Sequence, residues 1–172
     1  FLGAPPDDVV FFPNPTTAVN MVVRSLRLGP GDDVLTTDHE YGACMKTWAK
    51  WCAETGARLV AAPVELPVTD VHALVDTVWS HVTERTRVLF VSHLTSATAL
   101  VLPVAALCER ARRHGILTIV DGAHVPAHLD LDLGTLGADV YTGALHKWLC
   151  APKGSSFLYA TRAVQEWLQP LV

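Results

Sequence analysis

Charge is scarce in this sequence. Of 172 residues only 17% are Asp, Glu, Lys or Arg and 50% are hydrophobic, at a mean hydropathy of +0.28. That balance is the reverse of the composition that leaves a chain disordered, and the length suits one domain with a sizeable core. Basic residues are outnumbered by acidic ones, 13 against 17, giving a formal net charge of −4 and an isoelectric point near 6.0. Without a Lys/Arg stripe the chain lacks the electrostatic footprint that phosphate backbones require, so no nucleic-acid partner is expected. Long apolar runs are missing as well. Stretches such as Val88–Val91 and Leu117–Val120 fall far short of the roughly 20 residues that cross a bilayer, so no membrane span is expected. The four cysteines, Cys44, Cys52, Cys108 and Cys150, form no C-x-x-C pair, and no leader pattern opens the chain. Neither a secreted disulfide scaffold nor a zinc knuckle is therefore expected, and a reducing cytoplasm is the default compartment. The start at Phe1 without Met and the stop at Val172 read as a piece of a longer polypeptide.

What the chain does contain is an alternation of short apolar runs with segments of helical period, the signal of βαβ units around a parallel sheet. The runs Val9–Phe12, Val34–Thr36, Leu59–Ala62, Val88–Val91, Leu117–Val120, Val140–Tyr141 and Phe157–Tyr159 are expected strands. Most are apolar throughout, as strands covered on both faces should be. Between them lie four stripes at helical spacing: Val19, Val22, Val23, Leu26; Cys44, Trp48, Trp51, Cys52; Val71, Leu74, Val75, Val78; and Val104, Leu107, Cys108, Ala111. Trp48, Trp51, Trp79 and Trp167 read as core or interface, and Cys44, Cys52 and Cys108 as core. The expected architecture is a three-layer αβα domain, class α/β, with a mainly parallel sheet.

In open α/β sheets ligands bind beyond the carboxyl ends of the strands. Five strand ends are polar here: Pro13–Thr17, Asp38–Gly42, Ser92–Ser96, Asp121–His124 and Leu145–Lys147. Thr16 and Thr17 open a helix, where free N–H groups and the dipole favour an anion, although threonines also serve as ordinary caps. Asp121 ends an apolar strand, where a carboxylate is costly unless it meets a cation or caps a turn. Lys147, flanked by His146 and Trp148, is either a solvated surface charge or a partly desolvated amine competent to attack a carbonyl. On one rim, an anion-binding helix start, a buried Asp and a reactive Lys are the three fixtures a pyridoxal 5′-phosphate site requires. His124 and His128 stand at i, i+4 without an H-E-x-x-H pattern, and no metal is expected.

At these residues the sequence resembles the class V aminotransferase family of pyridoxal-phosphate enzymes, in particular its isopenicillin N epimerase-like members. Three ordered motifs carry the resemblance: Asn14-Pro15-Thr16-Thr17-Ala18-Val19-Asn20, Val120-Asp121-Gly122-Ala123-His124, and Gly143-Ala144-Leu145-His146-Lys147 followed by Gly154-Ser155-Ser156. It implies fold type I, with residues 1–172 as the cofactor-binding large domain of a longer chain whose C-terminal part supplies the small domain. By resemblance Lys147 would bind the cofactor covalently and Asp121 would pair with its ring nitrogen. Thr16, Thr17 and His146 would hold the phosphate, Tyr41 would stack on the ring, and His124 would touch the phenolic oxygen. His93, or else Ser96, would contact that oxygen or the substrate carboxylate. Many relatives carry Ser and Gly where Ala144 and Leu145 stand, which removes one phosphate hydroxyl.

The resemblance further implies an amino-acid-type substrate, loss of its Cα proton with Lys147 as shuttle, and a homodimer with the site near the interface. Tyr41 is the candidate second acid/base that epimerisation needs. A cysteine desulfurase or C–S lyase is the enzymatic alternative. The other is a truncated scaffold of the same fold that does not catalyse.

Overall fold

A computed structural model describes residues 1–171. Its elements run β1 (Val9–Phe12), α1 (Pro15–Ser25), β2 (Asp33–Thr37), α2 (Gly42–Thr55), β3 (Arg58–Ala62), α3 (Val71–Trp79), β4 (Thr86–Ser92), α4 (Val104–Arg113), β5 (Leu117–Asp121), α5 (Leu133–Leu136), β6 (Val140–Ala144), β7 (Ser156–Ala160) and α6 (Arg162–Gln165). All seven expected strands are present. Several extend past their apolar runs through polar or small residues such as Thr86, Ser92, Asp121 and Gly143, because ladder hydrogen bonds continue where hydropathy does not. Helices α5 and α6 span four residues each, too short to show a stripe. Trp167 therefore lies beyond a helix, though it still packs partly buried against the core. Val71, at the first position of α3, is exposed rather than part of the packed stripe.

The strands form one sheet in the order β1-β7-β6-β5-β4-β2-β3. Only β7 runs against its neighbours; the remaining pairs are parallel. Side chains alternate across it, so each strand feeds two cores. Val34, Val88, Phe90, Ile119, Val140 and Leu158 pack with Val19, Val22, Trp48 and Cys52 of α1 and α2. Leu35, Leu89, Val91, Val120, Tyr141 and Phe157 pack with Leu74, Val78, Leu107 and Ala111 of α3 and α4. Burial on both faces is why these runs are apolar throughout.

Local chemistry sets the helix ends nearest the rim. Asn14 caps α1 by accepting from the Thr17 N–H at 2.8 Å, and Pro15 fills the first position, whose N–H would be unpaired anyway. From β2 the chain steps outward to β3, returns past β2 to β4, and continues to β5 and β6. That reversal opens a crevice at the carboxyl ends of β2 and β4.

Gly122, directly after β5, admits the ring of Tyr141: a Cβ built there would lie 2.0 Å from its Oη and Cζ. Tyr141 is fully buried and bonded through Oη to His93, so it has nowhere to retreat. Gly122→Ala is expected to destabilise the protein by about 3 kcal/mol, the upper part of the usual overpacking range, read as a lowered midpoint in urea unfolding.

Candidate active site

One cavity of about 360 Å³ collects the polar strand ends. The start of α1 contributes Asn14, Pro15 and Thr16, and the turn before α2 contributes Tyr41. Ser92, Leu94 and Ser96 come from the end of β4, Asp121, Ala123 and His124 from β5, and His146 and Lys147 from the turn after β6. The size is in the range of small-molecule sites.

Asp121 lies at the floor, buried, on the sheet face that β5 turns toward α2. Its Oδ1 accepts the Ala123 N–H at 3.0 Å and its Oδ2 the Cys44 thiol at 3.5 Å. Burial pushes its carboxyl above the ordinary range against the pull of those donors and of Lys147. Among the described residues no Lys or Arg forms an ion pair with it. A buried carboxylate held by one amide and one weak thiol donor is an acceptor fitted for a cationic N–H entering from the cavity. Cys44, read from sequence as core, is buried as expected, but its thiol also supports this carboxylate; the same burial raises the thiol far enough to keep it a donor.

Lys147 Nζ stands 3.0 Å from His124 Nε2. Trp148 donates its indole N–H to His124 Nδ1 at 3.4 Å, which leaves the imidazole hydrogen on Nε2. That hydrogen points at Nζ, so the contact suits an amine with a free lone pair. Desolvation lowers the lysine below its usual range, opposed by Asp121, and it lowers His124 too, with Lys147 adding. The turn carrying Lys147 is closed by Cys150 N–H to Lys147 C=O and Ala151 N–H to Leu145 C=O, both 3.0 Å. Cys150 takes a left-handed conformation, φ 58°, to close it, a strain of the kind retained around functional turns.

At the other end of the cavity His146 donates through Nδ1 to the Ser155 carbonyl at 2.7 Å, which leaves Nε2 for a ligand. Thr16 lines the cavity, whereas Thr17 spends both its N–H and its hydroxyl on Asn14 Oδ1. His93 is also outside the lining. Alternation along β4 places Ser92 toward the cavity and turns His93 to the opposite face, where its Nδ1 meets Tyr141 Oη at 3.0 Å and it borders a separate hollow with Pro126 and His128. Burial lowers this histidine to about 4, so it is neutral. Ser96, the other residue of that pair of candidates, is in the lining.

Sequence reasoning assigned no role to Glu40 or Ser92. The Glu40 carboxylate accepts from the Thr37 hydroxyl at 2.7 Å, the Ser92 N–H at 2.7 Å and the Ser92 hydroxyl at 2.5 Å. Burial pushes it up to about 7 against those hydroxyls, with Asp121 adding. Its place in the polar stretch Asp38–Gly42, next to Tyr41, was the available signal.

A polar cradle alone does not name a family, but a match of the whole chain does. The profile described as "Aminotransferase class-V" matches residues 1–172. The chain belongs to the class V aminotransferase family. Isopenicillin N epimerase of Amycolatopsis lactamdurans is 44% identical over 167 residues, covering 92% of this chain and 41% of that protein. Among solved structures, the cystine C–S lyase C-DES in complex with cysteine persulfide superposes with a TM-score of 0.90 at 29% identity, over 97% of this chain and 45% of the lyase. A mutant of that lyase, with glycine covalently linked to the PLP cofactor, superposes with a TM-score of 0.88 at 28% identity, over 97% of this chain and 44% of its own. The class V chain described here thus spans about two-fifths of the length of the curated relatives it matches. Its fold is that of pyridoxal-phosphate enzymes, and pyridoxal 5′-phosphate is its cofactor. Among the described residues no helix is long and apolar enough to cross a membrane.

Proposed function

We propose that residues 1–172 form the cofactor-binding large domain of an isopenicillin N epimerase-like enzyme that moves a proton at the Cα of an amino-acid-type substrate. The observation that carries the reading is the convergence of Asp121, an acid lacking a cationic partner, and Lys147, an amine pressed toward its neutral form, on one cavity. When bound, pyridoxal phosphate supplies the electron sink that acidifies the substrate's Cα–H.

The chain's own residues divide the remaining work. Asp121 holds the ring nitrogen, and its charge keeps that nitrogen protonated. Thr16 and His146 hold the phosphate at the start of α1, where the helix dipole favours an anion; Pro15 has no N–H and those of Thr17 and Ala18 go to Asn14, which leaves the Thr16 N–H for the ligand. His124 bonds Lys147 and orients its amine. Lys147 takes and returns the Cα proton from one side; desolvation, which lowers its affinity for protons, favours that role. Tyr41, half exposed on the cavity wall, serves the other side.

Cα deuterium incorporation by the full-length protein in D₂O, with amino acids as substrates, tests the reading. Lys147→Ala is expected to slow exchange about 10⁴-fold, and Tyr41→Phe to slow exchange on the face away from the lysine about 10²-fold while leaving exchange from the lysine side intact. Exchange unchanged on both faces in Tyr41→Phe removes the tyrosine from the mechanism.

The likeness to the C–S lyase favours a second reading, cleavage of a sulfur-bearing side chain after the same proton loss. Sulfide or persulfide released from cysteine or cystine, without Cα inversion, decides for it. Under either reading the exposed Tyr41, Trp148 and Leu149 support a covering second copy of the chain, and the free cysteines a reducing cytoplasm.

A further inference from the structure

We infer that Glu40 is a positioning residue: bonded to Thr37 and to Ser92, its carboxylate clamps the loop between β2 and α2 onto β4 and fixes Tyr41 at the cavity wall. The inference rests on the proposed reading of Tyr41 and adds a residue that the reading does not use.

The loop has two sets of ties. On its β3 side, the Asp38 carboxylate accepts the Val64 N–H at 2.9 Å and His39 bonds the Val64 carbonyl at 3.0 Å through Nε2, which holds the first half of the loop to the segment after β3. Through Nδ1, His39 also bonds the Thr98 hydroxyl at 2.9 Å, in the segment that follows β4. Toward β4 the tie is Glu40, the residue next to Tyr41. Its two oxygens take all three donors that face them, two from Ser92. These three bonds favour the charged form against the burial that pushes the carboxyl up to about 7. They join the carboxyl ends of β2 and β4 beyond Leu35 and Leu89, the last residues paired between the two strands.

The clamp also sets what Ser92 presents. Its hydroxyl hydrogen is given to Glu40, so toward the cavity this oxygen can only accept. Ser92 is paired in register with Asp121. One side chain thereby fixes a wall residue and the polarity of the floor next to the essential acid. Tyr41 is the N-cap of α2 and its carbonyl accepts the Met45 N–H at 3.0 Å, but its side chain makes no cap hydrogen bond, so the tie from this position across to β4 is that of Glu40.

The test compares wild type, Glu40→Ala and Glu40→Gln as full-length proteins. Amide hydrogen exchange on the cofactor-free protein reads the clamp directly. Glu40→Ala is expected to speed exchange at Ser92 and through residues 39–43 by about tenfold or more, the order set by losing charge-assisted bonds, with β5 unchanged. Glu40→Gln keeps an acceptor for the Ser92 amide and is expected to restore most of the protection. In Cα exchange by the holoenzyme, Glu40→Ala is expected to lose about tenfold, and to lose nothing further in a Tyr41→Phe background. Ser92→Ala, a milder variant that deletes one of the three bonds, is expected to move the same readouts in the same direction, and serves if Glu40→Ala does not fold. Unchanged exchange at Ser92 and the loop overturns the inference, as does a Glu40→Ala loss that multiplies with that of Tyr41→Phe. Faster loop exchange in Glu40→Ala, with Tyr41→Phe itself inert, supports the clamp and removes only the assignment of Tyr41.

Discussion

Lys147→Ala is expected to leave the full-length protein folded, unable to show the visible absorption of a lysine-bound cofactor, and slowed about 10⁴-fold, the upper end for one positioned acid/base. Nothing in its surroundings can substitute. His124, the group in contact with Nζ, is a weakened base because burial and the lysine lower it. His146 is tied to the Ser155 carbonyl, and Tyr41 lies on the cavity wall. The stability cost is small because the side chain lines an open cavity and the turn is held by its backbone bonds. A spectrum recorded with cofactor, before and after adding amino acids, checks the covalent part, and turnover checks the rest. A Lys147→Ala protein that keeps the wild-type absorption band would show that this amine does not hold the cofactor.

Asp121→Asn is expected to have opposite effects on stability and on rate. In the cofactor-free protein the carboxyl is raised by burial, so the folded state binds its proton more tightly than the unfolded chain does. Stability is therefore greatest below the unfolded value and is lost as the pH rises through the folded one. A neutral amide removes that cost, and it can still accept from the Ala123 N–H while turning its NH₂ toward Cys44. The expected gain at neutral pH is about 0.5–2 kcal/mol, the size common when a functional-site residue is made neutral. The rate should fall by roughly 10²–10³-fold, because the amide no longer stabilises a protonated ring nitrogen. Thermal unfolding of the apo-protein and turnover of the holoenzyme measure the two effects. A destabilised apo Asp121→Asn would show that the carboxylate is structurally supported rather than waiting for a cation.

Both substitutions act at positions the sequence already singled out. Asp121 and Lys147 are legible because each breaks a local rule: a carboxylate after Leu117–Val120, a lysine between a histidine and a tryptophan. Rules broken at functional sites are what sequence reasoning can detect. Glu40 breaks a similar rule less visibly, since Asp38 and His39 beside it make the stretch read as an ordinary polar loop. Its bonds to Ser92 join residues 52 positions apart, and no spacing announces them. Thr17 and His93 were read by position after a helix start and a strand. Their side chains went elsewhere because Asn14 competes for the threonine and strand alternation carries the histidine to the opposite face.

The sequence by itself determined the seven strands, the helical stripes and the rim on which the polar strand ends gather, because apolar periodicity and chain punctuation are local properties with fixed repeats. Tertiary structure decided which of those rim residues share a cavity. That depends on the strand order, with β4 and β5 between β2 and β6, and on which face each strand's last residue meets. Both are set by packing two cores at once, a condition that involves the whole sheet and that no short window of sequence contains.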